Sequence, residues 1–400
     1  MAEMKPIGVD QTTGQQRQVA ADDSVVDNIG DTIEIVVKTG SDYANIPTRV
    51  FAQFPYDTPV LLNNPASVGS GYAEGLAWSP NGEFLATGDS NSPFFHCYQR
   101  VGTELHRLDD PASLPNSITR DVAWSPTGEL VSVGGTALGG SFITYQRDGS
   151  SLTPLAAPAS LLPGTGFGVS YTSNGQYMSI GSSSSPYLGT YEVDGTTFTL
   201  LPAPASLPVS SVNDVAWSPD GRFLAVVETN SPYLNIYEHD GFGGLTRLAD
   251  PSTVSPGFSI GVGWSNNGEF LAVGATGTGP ELLVYQRSGT TFTGIFAVGF
   301  GSGYANDIRW SPNDKYMIAA GLVVGGTAMR IYEQDGTSFT QLASPASQSS
   351  QGYTPEWSPD GQFVAVGGSV AGAPFGLYQI QTTMPDSGIV TTPGKPLAGS

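Results

Sequence analysis

A tryptophan followed by Ser-Pro-x-Gly returns along this chain at nearly constant intervals. Trp78-Ser-Pro-Asn-Gly, Trp124-Ser-Pro-Thr-Gly, Trp217-Ser-Pro-Asp-Gly, Trp264-Ser-Asn-Asn-Gly and Trp357-Ser-Pro-Asp-Gly carry the pattern. Trp310-Ser-Pro-Asn-Asp replaces the glycine, and Tyr171-Thr-Ser-Asn-Gly replaces the tryptophan. Successive spacings are 46, 47, 46, 47, 46 and 47 residues, and all six tryptophans of the protein stand at this one position. A period of roughly 40–50 residues built from short strands is the signature of a β-propeller, in which each repeat buries its faces only against its neighbours.

Each unit reads as four strands, a to d. Strand a is short, as in Asp214-Val-Ala-Trp217. Ser218-Pro219-Asp220-Gly221 then makes a tight turn, with Pro fixing φ and Gly accepting φ > 0. Strand b follows at Phe223–Val227, and strand c at Tyr233–Tyr237. Asp-Gly hairpins at 148–149, 194–195, 240–241 and 335–336 lead into strand d. Strand c ends in Tyr98, Tyr145, Tyr191, Tyr237, Tyr285, Tyr332 and Tyr378, each 20 to 22 residues after its unit's opening aromatic. The last unit lacks a strand d after Ile380, whereas Pro59–Ser67 looks like one placed ahead of the first unit. Residues near 58–64 are therefore expected to complete the last blade and close the ring, removing an exposed edge.

The expectation is an all-β chain in three parts: an extended N-terminal arm over 1–50, a seven-bladed propeller over 51–380, and a flexible tail over 381–400. The arm has one alternating stretch, Thr32–Lys38, that fits a docking strand. The tail is rich in Gly, Pro, Ser and Thr.

Composition agrees with this reading and removes several partners. The 52 Gly and 30 Pro, roughly a fifth of the chain, argue against long helices. With 15 Lys+Arg against 35 Asp+Glu, a formal charge of −20, neither phosphate backbones nor anionic membranes are expected partners. No apolar run approaches the ~20 residues that span a bilayer. The first eight residues show no apolar leader, and the single cysteine, Cys97, suits synthesis in a reducing cytoplasm.

The stretch Val215 to Val226, Val-x-Trp-Ser-Pro-Asp-Gly-x-Phe-Leu-Ala-Val, resembles the WD40-type propeller repeat. The resemblance covers about residues 51–380. It departs from that family in lacking a Gly-His pair before strand a and in ending strand c with Tyr-Glu or Tyr-Gln instead of Trp-Asp. The family's buried His–Asp network is therefore not expected. A second resemblance lies in Lys5–Ser24, which is similar to the N-termini of tailed-bacteriophage tail fibres and other virion structural proteins. In those proteins such a segment attaches a distal domain to the particle.

Signals for chemistry are sparse. The histidines are His96, His106 and His239, and no metalloprotease, nucleophile-elbow, P-loop or dinucleotide motif occurs. One cysteine excludes a Cys/His zinc site, and Cys97 reads as packed. No catalytic, cofactor or metal residues are expected, and the chain reads as a non-enzyme. Asp121, Asp214 and Asp307 stand three residues before the opening aromatic in alternate units, where the others carry Gly75, Gly168, Gly261 and Thr354. They fit either a carboxylate ring at one channel mouth, able to hold a cation, or acceptors of backbone N–H groups at blade junctions. The a–b and c–d turns make one face flat. On the other face Phe94, Tyr187, Tyr233 and Phe375 each follow a proline in a b–c loop, as binding rings or as packing at the start of strand c.

Together these readings imply a phage virion protein, synthesised in the bacterial host cytoplasm and present in many copies. Its arm would bind other virion proteins, and its propeller a host surface glycan or protein, as a tail fibre or appendage. The alternatives are a capsid decoration protein, a WD40-like protein-interaction scaffold, and, less favoured, a propeller hydrolase or lyase acting on surface polysaccharide.

Overall fold

The computed structural model describes residues 59–380 apart from 64, 66–67, 138–139, 254, 256, 278, 302, 323–328, 346–351 and 371–372. It also describes the backbone of Ser24–Ile29, Thr32–Val37, Thr48–Gln53 and Thr391–Pro393. No helix occurs among the described residues.

Two compact units result: Thr58–Ile380, and Met1–Asp57 with Gln381–Ser400. The second unit contains an antiparallel sheet in the order 24–29, 32–37, 48–53, 391–393. The expected docking strand is thus Thr32–Val37, paired on both sides within that sheet. Thr48–Gln53 runs across the expected boundary at residue 50, because its pairing with 32–37 (Val50 opposite Ile35) holds residues 51–53 with the N-terminal part. The tail supplies Thr391–Pro393 beside Thr48–Val50. Residues 381–390 and 394–400 lie outside the described residues, so the expectation of flexibility there does too.

The larger unit is a seven-bladed β-propeller of four-stranded antiparallel blades in sequential order. The fourth blade shows the plan: Val212–Trp217 nearest the axis, then Phe223–Glu228, Leu234–His239 and Leu245–Arg247 at the rim. Each inner strand lies beside those of the neighbouring blades, and the seventh returns to the first. Val60–Leu61 is the outer strand of blade 7, with Leu61 opposite Tyr378 and the Leu62 N–H donating to Leu377 O at 2.8 Å. The N-terminal segment therefore closes the ring as the strand count implied.

The repeat's residues each have a mechanical reason. The turn serine accepts a hydrogen bond from the amide five residues on and donates to the Asx side chain two residues on: Phe223 N–H to Ser218 Oγ at 2.9 Å, Ser218 Oγ to Asp220. Gly221 has φ +67, the left-handed value that favours glycine. The turn proline lies against the next blade's turn glycine, as Pro80 does 3.4 Å from the Cβ position of Gly128. The core is a series of seams between blades, not one central mass. Phe223 and Ile236 of blade 4, for example, pack on Val262, Trp264 and Tyr285 of blade 5. All seven strand-c tyrosines are at most 1% exposed, each burial worth about 2–3 kcal/mol.

The opening aromatics tie blade to blade. The indole N–H groups of Trp124, Trp264 and Trp310 donate to Ala77 O, Ala216 O and Gly263 O of the preceding inner strand at 3.1, 3.1 and 3.2 Å. Trp217 reaches Ser179 Oγ, and Tyr171, in place of a tryptophan, reaches Ser132 Oγ at 2.6 Å. Trp78 and Trp357 have buried indole N–H groups without such a partner. One hairpin departs from expectation. Asp240-Gly241 does not make a tight turn but opens a five-residue loop between His239 and Leu245, so the turn face is not flat.

Candidate functional site

The strand starts around the axis enclose a cavity of about 270 Å³ at one mouth of the channel. Its wall follows from columns of the repeat. Four residues before the opening aromatic stand Glu74, Arg120, Phe167, Asn213, Ile260, Asn306 and Tyr353, all lining it. One residue before the aromatic come Ala77, Ala123, Ser170, Ala216 and Gly263, then two large charged residues, Arg309 and Glu356. The wall is thus aromatic and apolar on several blades, with acids between.

Asp121, Asp214 and Asp307 lie at this mouth, and each binds across a blade junction. Asp121 Oδ2 accepts the Val169 N–H at 2.7 Å. Asp214 accepts its own neighbour Val215 N–H at 2.8 Å and Val262 N–H of the next blade at 2.9 Å. Asp307 accepts Ile308 N–H at 2.7 Å and the Thr354 hydroxyl at 2.8 Å. The change of donor has a simple cause: the residue after Thr354 is Pro355, which has no N–H. The Asp–Gly alternation has a steric cause as well. A Cβ on Gly75, Gly168 or Gly261 would stand 2.6 Å from the Cα of Asp121, Asp214 or Asp307 respectively. Of the two readings open for these aspartates, the junction role is thus filled directly, at a mouth that remains rich in carboxylate.

Charge at the mouth is unbalanced. Arg309 contacts Asp307 at 2.5 Å and Glu356 at 3.0 Å, and Arg120 pairs with Glu74. Among the described residues, no cation forms an ion pair with Asp121 or Asp214, and Arg309 acts on them only from farther off. Burial pushes the Asp121 carboxyl up to about 6, opposed mainly by Arg309, and raises Asp214 well above the carboxylate range, reinforced by Asp307 and Asp121. Burial raises Asp307 too, and Glu356 to about 7. For Arg309, burial favours deprotonation, but the four surrounding carboxylates outweigh it and hold the guanidinium charged. Burial thus favours the protonated acids here, and a positive charge arriving beside them would shift them back toward carboxylate. The carboxylate oxygens are engaged with N–H and hydroxyl donors.

The four rings expected to bind do not converge. They belong to blades 1, 3, 4 and 7. Phe94, Tyr187 and Tyr233 are half-buried, each after a cis Ser–Pro bond, with φ +66, +66 and +68. Their N–H groups close tight turns onto Asn91, Ser184 and Asn230 O, and Tyr187 packs on the seam between blades 3 and 4. Phe375 is 1% exposed and meets Tyr98 edge-on at 5.4 Å, so it is core and not a binding ring. The register explains the difference. Phe94, Tyr187 and Tyr233 stand four residues before the strand-c tyrosine, whereas Phe375 stands three before Tyr378, and one residue turns a strand side chain to the opposite face. Sequence reasoning also missed Arg309 and Glu356, which an inspection of the column before each opening aromatic would have shown as its two large charged members.

Cys97 is buried and its thiol is pushed up to about 12 by desolvation, the state of a packed cysteine. Blade 1 does contain a histidine–aspartate pair of its own, His96 and Asp89, 3.7 Å apart. Blade 4 carries the equivalent pair as Asn235 and Glu228, where Asn235 donates to Glu228 at 2.6 Å.

The WD domain, G-beta repeat family model matches residues 205–230, which cover strand a, the turn and strand b of the fourth blade. The chain is a WD40-like seven-bladed propeller. A second model, Eukaryotic translation initiation factor eIF2A, matches residues 256–370, from blade 5 into blade 7. No curated protein matches. Among solved structures, a chain of the Crystal Structure of Mitotic Checkpoint Complex is similar at 17% identity and a TM-score of 0.59, over 82% of this chain and 98% of that one. At that identity the likeness is one of fold. Neither family model reaches residues 5–24, which carry the tail-fibre resemblance and of which 5–23 lie outside the described residues.

Proposed function

We propose that the chain is a non-enzymatic protein-interaction scaffold whose channel mouth receives a basic segment of a partner. The observation that supports this reading is the cavity itself: four carboxylates (Glu74, Asp121, Asp214, Asp307) against two arginines, one of them already held by Glu356, bordered by Phe167, Phe258 and Tyr353. A lysine or arginine side chain suits both components, as counter-charge for the acids and as a cation over the rings. Its neighbourhood adds exposed Tyr72 and Phe258, which supply apolar area beside the charge. The WD40 likeness agrees with a scaffold, a fold that hosts many functions and acts here through its site. The test is titration of the full chain with fluorescent Lys/Arg-rich peptides and with Glu-rich controls, at low and high salt. Salt-sensitive binding of the basic peptides, weakened by Glu74→Gln with Tyr353→Ala, is expected; equal binding of both peptide classes would end the reading.

A second reading is favoured by one observation, the tail-fibre-like Lys5–Ser24. In it residues 1–50 attach the propeller to a phage particle as a tail appendage or capsid decoration, and the propeller meets a host surface glycan or protein. Mass spectrometry of purified particles decides it, since a virion protein copurifies at fixed stoichiometry and a scaffold does not.

A further inference from the structure

Blade 4 carries a feature on the face opposite the channel mouth. Its c–d connection is Asp240-Gly241-Phe242-Gly243-Gly244, where the c–d hairpins of blades 1, 2, 3, 5 and 6 turn in two residues. Phe242 is 89% exposed, more than any other large apolar residue described.

The loop is not loose. Asp240 Oδ1 accepts the N–H groups of Phe242 at 2.7 Å and Gly244 at 2.9 Å. The Asp240 N–H donates to Gly244 O at 3.0 Å. His239 Nε2 accepts the Gly243 N–H at 3.0 Å, which leaves the ring proton on Nδ1, facing Gly221 O at 3.2 Å. The imidazole is itself fixed between Tyr177 and Trp217, at 4.8 and 5.2 Å. The glycines are required. Gly241 and Gly243 have φ +83 and +95, and a Cβ on Gly243 would stand 2.6 Å from Leu201 Cδ1. Three glycines and a locked backbone thus hold one phenylalanine in water. Single exposed apolar residues are common, but a ring held at the tip of a pre-organised loop is the geometry of an interface anchor, because little order remains to be imposed on binding.

We propose that Phe242 is the anchor of a second docking surface, on the turn face of blade 4, for a protein partner that presents an apolar pocket with a basic rim. The basic rim follows from charge. Beside the ring lies the Asp240 carboxylate, and the nearby Arg222 and Arg287 are already engaged by Glu238 at 2.7 Å and Asp220 at 3.3 Å. The chain as a whole carries −20, which opposes a second copy as the occupant. The surface is independent of the channel mouth, so the propeller would hold two partners on opposite faces.

The test places a photo-crosslinking phenylalanine at 242 in the full chain, in cells of its source. Val101, 59% exposed on an ordinary hairpin of the same face, is the control position. The crosslinked protein is then purified and titrated with the wild-type chain. Phe242→Ala is expected to melt as wild type and to weaken binding about 30-fold or more, while Phe242→Trp and Val101→Ala stay near wild type. Raising salt is expected to weaken the wild-type complex. The proposal is overturned by crosslinking at 242 no stronger than at 101, by Phe242→Ala binding like wild type, by salt-insensitive binding, or by a crosslinked product that is a second copy of this chain.

Discussion

Asp314 and Asn266 both depart from the repeat's turn, in neighbouring blades, and they bind each other. Asp314 occupies the left-handed glycine position of blade 6, with φ +59. Its carboxylate accepts the N–H of Asn266 at 2.5 Å and of Asn267 at 2.7 Å in the turn of blade 5. Asn266 stands where most blades have a proline, and a proline has no N–H to give. At five other junctions a proline ring lies against the next blade's glycine, and only Gly221, which follows Ser173 of blade 3, has no such neighbour. Two ways of joining neighbouring turns therefore exist in this ring, and each needs both of its residues.

The pair is testable by a double-mutant cycle. Asn266→Pro alone is expected to destabilise by about 1–3 kcal/mol, because Asp314 Oδ1 loses both the backbone and the side-chain N–H donors of Asn266. Asn266→Pro with Asp314→Gly restores the other kind of junction. Urea unfolding should show the double variant less destabilised than the two single losses added, with a coupling of about 1 kcal/mol or more; strict additivity would remove the explanation.

A second prediction concerns pH. Asp89 is buried, only its Oδ2 is bonded, by the Thr87 hydroxyl at 2.9 Å, and Oδ1 has no partner. Burial raises its carboxyl to about 7, against Thr87 and Arg107, while Glu74 adds to the rise. His96 is held down to about 4 by burial and Arg107, opposed by Asp110. The folded form therefore prefers neutral Asp89 and neutral His96. Stability linked to Asp89 is complete below about pH 4 and is lost as pH rises through 7; that linked to His96 is complete above about 6.5 and lost as pH falls through 4. Asp89→Asn is expected to flatten the alkaline side, raising the melting temperature relative to wild type at pH 8 and changing it little at pH 5. Equal shifts at both pH values would refute the assignment.

The tryptophans separate by position. Trp124→Phe removes an indole hydrogen bond to Ala77 O, whereas Trp357→Phe removes a buried N–H that has none. With similar loss of apolar area, Trp124→Phe should cost about 1 kcal/mol more in chemical denaturation.

The Asp–Gly alternation predicts a contrast between glycines. Gly168→Ala places a methyl 2.3 Å from Asp214 Oδ1 and 2.6 Å from its Cα, contacts that backbone cannot yield, so a loss of about 2–4 kcal/mol is expected. Gly195→Ala, at φ +57 with nothing within 4 Å, carries only the cost of the left-handed conformation, about 1–2 kcal/mol. Thermal melts of the two variants give the comparison.

Much of this fold could be read from spacing, because a repeat turns one local rule into a whole architecture. The position of Trp78, Trp124 and their counterparts announced the blades, and Pro59–Ser67 announced the closure. The aspartate column was legible as a column, and its two candidate roles were visible, but the partner N–H groups belong to the next blade, and a one-dimensional reading cannot tell which neighbour a side chain faces. A Pro-aromatic pair does not by itself mark an exposed ring: Phe375 stands three residues before Tyr378, not four, and that register sends it into the core. Arg309 and Glu356 look like ordinary surface charges in the sequence, and only the ring sets Arg309 at the cavity with Glu356 bonded to it. Phe242 was hidden by Asp240-Gly241, which reads as a plain hairpin until the two further glycines are counted.

The aspartate pattern has a consequence of parity. An every-other-blade rule closes on an even ring but not on an odd one. Asp121, Asp214 and Asp307 each pair with a glycine behind and a donor ahead, which uses six blades and the hydroxyl of a seventh. Thr354 and Gly75 are then neighbours with no aspartate between them. That single mismatch gives an otherwise near-sevenfold ring a fixed origin. Beside it lie Glu356, the unpartnered indoles of Trp78 and Trp357, and the two-residue closing strand. The propeller therefore has a date line, and any ligand on its axis meets a directional surface in place of a rotationally averaged one.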